Sequence, residues 1–539
     1  MLSFAFFVFW GYFLSLIEDP KDNIQNQGEI AETQPGSKQK TKQSSPVTPG
    51  KTNSKQSYVE QEVVVTKPVK TFAGVEKKIV VDTGLMEIIL SNRGGVIEKV
   101  LMKKYTEKGE PINVVEQIEG AQFPLTIFSS SDSLNETLQN AYYEVSAESI
   151  QLTESSPSQT LTLSLSDDTG LKVEKKITFT HNKFLMGVDA QVSAPALEGE
   201  NVSYSILWGP GLGGNLVSHT DYFVFAGATT FINDERVETS PDDVSRVIEH
   251  KGNLTWTAFQ NKYFAAALIP QEGVDFATTR KIDDQMYVGL KLKSVRSSAT
   301  ASMLLYVGTK EVFLLEEIGH KLNRLMDYGW LGNKFAFLVK PLLRVLQFFY
   351  DVFGNYGWAI IFLTIVIKVI FFPLTHKSFK SMKGLQKIQP YVKVIQERNK
   401  DNRQKMNEEM IELYKKHKVN PLGGCLPMLL QIPVFISLYH ALFFSIELRG
   451  APFMLWIKDL SVQDPYYVTP VLMGVTMFLQ QKMTPSVGDP VQQKIMLMLP
   501  IVFTFLFVTF PAGLVIYWTI NNLLTITQQY YIYKVAKDD

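Results

Sequence analysis

The sequence contains almost no cysteine. Cys425 is the only one in 539 residues, so no disulfide can form within the chain, and any part outside the cytoplasm must rest on its own packed core. It also lacks net charge: 53 basic residues face 53 acidic ones, leaving no global field to draw it to nucleic acid, and no specific nucleic-acid partner is expected. Histidines are few and scattered, at His181, His219, His250, His320, His376, His417 and His440, with no H-E-x-x-H spacing, and neither G-x-S-x-G nor a P-loop is present. No enzyme, cofactor or metal site is expected. The run GPGLGG (Gly209–Gly214) has dinucleotide-motif spacing, but NLVSHTDYFVF follows it inside an all-β pattern. A nucleotide fold would need a helix there, so the run reads as a glycine-rich loop.

What is present is unevenly distributed. Leu2–Ile17 is apolar and is followed by EDPKD. As a helix it spans about 24 Å, short of the ~30 Å hydrocarbon core, and it lacks the basic start and cleavage site of a signal peptide; residues 1–19 read as an uncleaved anchor, with a cleaved signal as the alternative. Residues 20–57 are rich in Gln, Ser, Thr, Lys and Pro, with almost nothing to bury, and read as a disordered linker. From residue 58 the pattern turns to β. TLTLSLSD (Thr160–Asp167) alternates strictly, and LKVEKKITFTH follows after the turn DDTG. Many such strands imply a large antiparallel sandwich, closed by the helical segment Glu311–Tyr328, for a domain of 58–328.

Residues 329–355 carry Lys340, Arg344, Gln347 and Asp351 as one thin polar stripe on an apolar helix. That pattern suits a helix in the plane of a membrane surface; a helix half-buried in a soluble core would show it too. Five candidate spans follow, at 356–375, 421–444, 466–482, 495–510 and 511–531. A loop at 445–465, another at 483–494 and a tail at 532–539 complete the division. The segment 376–420 holds twelve basic and five acidic residues, the largest basic excess between spans, which puts it in the cytoplasm. The β region then lies on the opposite side and the C-terminus ends in the cytoplasm. Within 376–420, Phe379, Met382, Leu385, Ile388, Val392 and Ile395 form one apolar stripe and Met406, Met410 and Leu413 another, with RNKDN between them. This predicts a helical hairpin.

Lys368 sits in the otherwise apolar IIFLTIVIKVIFFPL. A charge near the bilayer centre costs about 2.5–3.5 kcal/mol on insertion scales and calls for a partner or water; snorkelling toward the cytoplasmic headgroups is the alternative. Thr364, Lys368 and Thr375 share a face. The last span carries Tyr517, Asn521, Thr525 and Gln528 at helical spacing, with Trp518, Asn522 and Gln529 beside them, and Gln431, Gln480 and Gln481 lie on other spans. Amides in hydrocarbon need partners. Either they bond helix to helix, or with Lys368 they line a wet cavity.

NPLGGCLPMLLQIPVFISLY (Asn420–Tyr439), FPAGLVIYWTINNLLTITQQYYIY (Phe510–Tyr533) and Glu447–Met483 resemble the signature segments of the YidC/Oxa/Albino insertase family, in its Gram-negative bacterial form. The resemblance implies a multi-domain membrane protein: an N-terminal anchor helix, a five-helix transmembrane insertase core, a periplasmic antiparallel β-supersandwich and a cytoplasmic helical hairpin that acts as a mobile lid. It further implies a hydrophilic groove open to cytoplasm and lipid, holding a basic residue. Lys368 occupies that place, where many bacterial members carry arginine. Thr364, Gln431, Tyr517 and Trp518 fall on segments that line the groove or substrate path, and Asn521, Asn522 and Gln528 extend the candidate set. The short first span, with no basic residues ahead of it, departs from the family pattern. The implied function is insertion and folding of membrane proteins in the inner membrane, alone or with the Sec translocon. The implied partners are nascent membrane proteins, the ribosome, Sec translocon subunits and the lipid bilayer. A solute transporter with a periplasmic binding domain would also explain an intramembrane lysine, but no second copy of the Lys368 segment marks an internal repeat.

Overall fold

The computed structural model describes residues 74–539, apart from 108, 198, 214–223, 418, 420–425, 485–489 and 536–539. The expected anchor and linker lie outside the described residues. The described chain has two parts, a β-rich part up to Thr309 and a helical part after it.

Alternation of apolar residues builds the β part. Strand Lys172–Thr180 buries every second side chain, and Ser158–Ser166 pairs with it antiparallel across the turn at Asp167. There the Asp167 carboxylate accepts from the N–H groups of Thr169 (2.9 Å) and Leu171 (3.0 Å), the side-chain mimic of a turn expected of Asp. Strands sort into sheets of five, ten and five. Nearly all pairings are antiparallel; the exception is Lys78–Asp82, which runs parallel to Ser149–Gln151. Alternation along a strand fixes which face it buries, not the direction of its neighbour, so this pair was not readable from the sequence.

The β core also holds a lysine, whose pKa burial lowers to about 7. Lys175 is 1% exposed. Its ammonium donates to the carbonyls of Gly94 (2.9 Å), Gly95 (2.8 Å) and Leu125 (2.8 Å) and lies 5.3 Å from the Tyr143 ring centroid. Leu125 has φ +67°, a conformation that costs a branched residue energy. Three acceptors match the three donors of a lysine head group.

The helical part comprises α1 (Asp132–Asn140), inserted in the β part, and then α2 (Val312–Ile318), α3 (Gly329–Phe353), α4 (Tyr356–Arg398), α5 (Arg403–Lys416), α6 (Leu426–Phe443), α7 (Val468–Met483), α8 (Pro490–Phe507) and α9 (Ala512–Tyr530). Two residues separate α3 from α4. Gly354 takes φ +64°, and the Asn355 side chain accepts from the Trp358 N–H at 3.2 Å, a C-terminal glycine followed at once by an N-cap. α3 uses its polar stripe toward α2: Lys340 pairs with Glu316, and Arg344 lies over the Phe313 ring at 5.4 Å. Phe337, Phe348, Val352 and Phe353 remain exposed.

α4 runs unbroken for 43 residues through both the 356–375 span and the first arm of the 376–420 segment. Composition changes at His376, but no capping group ends the helix there. Among the described residues α4 alone is long and apolar enough to cross a membrane by length and composition. Its second half buries Phe379, Met382, Leu385, Ile388 and Val392. α5 returns alongside, tied by Asn399 donating to Glu409 (3.0 Å) and by Tyr391 stacked on His417. α7 and α8 meet closely at Gly474, where a Cβ would clash with the Thr504 hydroxyl oxygen.

The link between α6 and α7 joins the two parts. Ile446, 1% exposed, is packed into the main β core, and Lys262 lies 3.8 Å from the Phe443 ring centroid. Glu447 and Glu311 line one cavity at this junction. Burial first, and then the Glu311 carboxylate, raise the Glu447 pKa above the usual carboxylate range.

Two outcomes follow. Lys175→Met orphans three carbonyls and should destabilise the fold by about 1–3 kcal/mol for each that stays unsatisfied, whereas Lys176→Met, at an exposed pair with Glu174, should leave stability nearly unchanged; denaturant titration of both variants checks this. The raised Glu447 pKa means the folded state holds this proton more tightly than the unfolded chain does. Its contribution to stability is therefore fully present below the unfolded carboxylate pKa and is lost as pH rises through the folded value. Glu447→Gln should flatten that slope, read as melting temperature against pH.

Candidate functional site

All the candidate residues except Gln431 sit on α4 and α9, whose crossing is otherwise apolar. Ile360, Leu363, Val515 and Ile516 pack together there in one buried cluster. The Lys368 ammonium donates to the Thr525 hydroxyl at 2.7 Å, and that hydroxyl donates to the Asn521 carbonyl at 2.6 Å. Hydrogen bonds in such a chain polarise one another in a low-dielectric setting. An ammonium has three donors; among the described residues Thr525 is the one acceptor found for it, and no carboxylate lies near enough to act on it. Two turns along α4, the Gln528 amide donates to the Thr375 hydroxyl at 2.8 Å, and Thr375 donates back to the Phe371 carbonyl at 3.0 Å. Beside Lys368, Val369 and Ile370 are exposed, so the same turn of α4 has a polar side against α9 and an apolar outer side.

The other candidates fall elsewhere. Thr364 is fully buried, and its hydroxyl donates to the Ile360 carbonyl at 2.7 Å within α4, the back-bonding common for Thr in helices. Asn522 faces the opposite way from Lys368, donating to the Thr476 hydroxyl on α7 at 3.2 Å and reaching the Met473 carbonyl at 3.5 Å. Gln529 follows it, donating to Thr484 at 3.1 Å. Tyr517 is 1% exposed; its hydroxyl makes no hydrogen bond of good geometry, and Gln431 is the side chain that interacts with it. Trp518 stands edge-on to Phe435 (4.6 Å between ring centroids) and Phe507 (5.1 Å), about 10 Å along α9 from Thr525. The structure thus brings Lys368, Asn521 and Gln528 to one helix crossing and sets Thr364, Gln431, Tyr517, Trp518 and Asn522 in other packing environments.

Two family models match. One, described as 60Kd inner membrane protein, covers residues 348–539, and the other, described as YidC periplasmic domain, covers 78–345. A membrane protein insertase YidC from Citrifermentans bemidjiense is 40% identical over 474 residues, spanning 86% of this chain and 87% of that one. The same-named protein of Geotalea daltonii is 42% identical over 477 residues (85% and 87%), and that of Syntrophus aciditrophicus 38% over 509 residues (91% of each). The chain belongs to the YidC membrane protein insertase family. The boundary between the two family models falls inside α3, in the helical part. A solved structure of an active YidC insertase covers 85% of this chain and 93% of its own at 18% identity, with a TM-score of 0.37, too loose a likeness to add to the sequence match.

Thr525, the direct acceptor for Lys368, belongs to the polar stripe legible in the last span but not to the groove set carried forward with the YidC resemblance. Its signal was the spacing of four from Asn521, which places both on one helix face. Thr476 and Thr484, the partners of Asn522 and Gln529, carried no signal, since a lone threonine in an apolar helix is usually bonded to its own backbone. A double-mutant cycle between Asn522→Leu and Thr476→Val should give a coupling of about 0.6 kcal/mol, the mean for such bonds between membrane helices, measured by unfolding in mixed micelles.

Proposed function

We infer that the protein inserts membrane proteins into the inner membrane by using the α4–α9 crossing as the polar wall of a groove open to the cytoplasm and to lipid. Its substrates are nascent membrane proteins. The observation that carries the reading is the Lys368 ammonium, held by the neutral Thr525 hydroxyl with no carboxylate beside it among the described residues. A buried ion pair would be satisfied already. An ammonium with donors to spare can receive the acidic groups of an incoming hydrophilic tail, while Asn521 and Gln528 replace part of the water those groups lose. Lysine acts here as a point charge, not as a bidentate clamp.

In this reading α4 and α6–α9 form the five-helix core, residues 1–19 anchor the chain, the β domain is periplasmic, and the C-terminus is cytoplasmic. The hairpin of the second half of α4 with α5 is the cytoplasmic lid that meets the ribosome, and the Sec translocon is a partner for some substrates. α3 lies at the membrane surface, a position that its exposed Phe337, Phe348 and Phe353 suit. The apolar segment of the substrate slides past the outer faces of α7 and α8, where Leu472, Val475, Met498, Ile501 and Phe505 are exposed. Each Leu, Ile, Phe or Val of that segment gains about 0.3–0.6 kcal/mol on insertion. Roughly twenty of them offset the transfer of a short tail without a nucleotide.

Lys368→Glu should cut insertion of acidic-tailed substrates about tenfold in proteoliposomes, equivalent to ~1.4 kcal/mol, and Lys368→Arg should retain it; equal activity of the two variants removes the electrostatic role. In a Cys425→Ser background, Thr525→Cys should crosslink a ribosome-stalled nascent chain, and capture of lipid alone would count against the groove.

A further inference from the structure

The link between α6 and α7 carries an apolar turn that no described residue covers. Residues 453–457 close it: the Ile457 N–H donates to the Met454 carbonyl at 3.1 Å, and the Phe453 N–H donates to the Ile457 carbonyl at 3.1 Å. Leu455 holds the second position of the turn with φ +54°. Glycine or asparagine is the usual residue there, because left-handed backbone crowds a branched side chain. Leu125 adopts the same conformation, but it is 1% exposed inside the β core, where burial offsets the strain. Leu455 is 72% exposed. Tyr467, at the other end of the link, repeats the pattern: it has φ +57° and is also exposed. Whatever offsets the strain at Leu455 lies outside the described residues.

The turn is fixed to the ends of two helices. The Asn355 amide, just ahead of α4, donates to the carbonyls of Pro452 (3.0 Å) and Phe453 (3.1 Å). The N–H groups of Ala512 and Gly513, at the start of α9, donate to the carbonyls of Val462 (2.8 Å) and Leu460 (3.0 Å). Ring contacts carry the apolar surface from helix to helix. Trp358, in the first turn of α4, meets Phe453 edge-on at 5.9 Å between centroids, and Trp456 meets Tyr466 at 6.3 Å. Beyond Tyr467, exposed Val471 and Leu472 continue the surface along α7. α4 is the described helix that is long and apolar enough to cross a membrane. The carboxylates of the link turn inward. Asp464 is 1% exposed and accepts from the Trp456 indole (2.9 Å) and from the N–H groups of Tyr466 (3.0 Å) and Thr469 (2.8 Å). Asp459 is half-buried and accepts from the Ser461 hydroxyl at 2.7 Å. Lys458 is exposed. The outward surface therefore presents aromatic rings, a leucine and a cation without an exposed carboxylate, the composition of a membrane–water boundary.

We propose that the Met454–Leu455 turn, with Tyr466 and Tyr467 beside it, dips into the lipid bilayer at the N-terminal ends of α4 and α7. Leu455 enters the acyl chains, the aromatic rings lie at headgroup level, and Lys458 meets lipid phosphate. Lipid is the occupant because the patch runs without a break from the first turn of α4 to the outer face of α7. Burial of the leucine in acyl chains offsets its backbone conformation. Since the turn is bonded to the ends of α4 and α9, it fixes the depth at which the Lys368–Thr525 crossing sits. The leaflet is the periplasmic one in the orientation proposed above; the contact itself does not depend on the side or on the groove.

The test places single nitroxide labels on the full-length protein in a Cys425→Ser background, reconstituted at one copy per nanodisc of phosphatidylethanolamine and phosphatidylglycerol. Leu455→Cys reports the turn. Val295→Cys, at an exposed apolar position of the β domain, reports water, and Phe505→Cys, at an exposed position of α8, reports lipid. Power saturation reads collisions with oxygen, which concentrates in acyl chains, and with a nickel chelate confined to water. The oxygen-to-nickel ratio at Leu455→Cys should exceed that at Val295→Cys at least about fivefold and approach that at Phe505→Cys. Melting temperatures confirm folding, and Met454→Cys decides if Leu455→Cys is not folded. The proposal is overturned if the ratio matches that at Val295→Cys, which leaves the turn in water. It is equally overturned if the label is shielded from both reagents, which means that a protein segment such as residues 1–19 covers the turn. Insertion activity is not read, so neither result bears on the Lys368 groove.

Discussion

Hydrocarbon offers no hydrogen bonds, and the helical part of this protein is organised by that one constraint. The Lys368 ammonium, the Thr525 hydroxyl and the Asn521 carbonyl form a chain that ties α4 to α9 at a fixed register. Gln528 and Thr375 repeat the tie two turns on. α9 is also polar toward α7, through Asn522 and Gln529. A helix bonded on two faces cannot rotate without breaking one set, so the lysine is presented in a defined place. The same constraint gives the proposed groove its chemistry: a neutral hydroxyl holds the charge in position without neutralising it.

The β domain meets a different need. It has no disulfide and closes its core by burying alternate residues, with the Lys175 ammonium satisfied by three carbonyls in its interior. Its connection to the helices is more than a tether. Ile446, from the α6–α7 link, is part of the β core, and Glu447 and Glu311 share one cavity beside it. α3 adds the Lys340–Glu316 pair and the Arg344–Phe313 contact, both to α2. The helix that follows the β domain in sequence and a loop more than 100 residues later both grip the same end of it.

Some elements were legible because their physics is local. Strict alternation in TLTLSLSD marks a strand, Asp167 marks the turn after it, and the stripe from Phe379 to Val392 marks the buried face of α4. Asn355 after Gly354 marks the break before α4. Other elements were not legible, for equally physical reasons. The charge that begins at His376 reports a change of surroundings, and a helix has no need to end where its surroundings change. The parallel pairing of Lys78–Asp82 depends on a strand some seventy residues away. For the candidate site, Lys368 announced itself by its cost in an apolar run, and the spacing of Asn521, Thr525 and Gln528 placed them on one face. Nothing local distinguished Asn522, which is adjacent to Asn521 and bonds to a different helix.

By itself the sequence determined the order of the parts, the polar and apolar faces of each helix and strand, and the family to which the chain belongs. All of these are written in periodicity, charge and motif, which neighbouring residues carry. Only the tertiary structure decided which polar group meets which. Thr525 rather than Thr364 accepts the Lys368 hydrogen bond, and Ile446 enters the β core. Those choices depend on distances between residues far apart in the chain, and packing sets such distances only once every buried group must be satisfied at the same time.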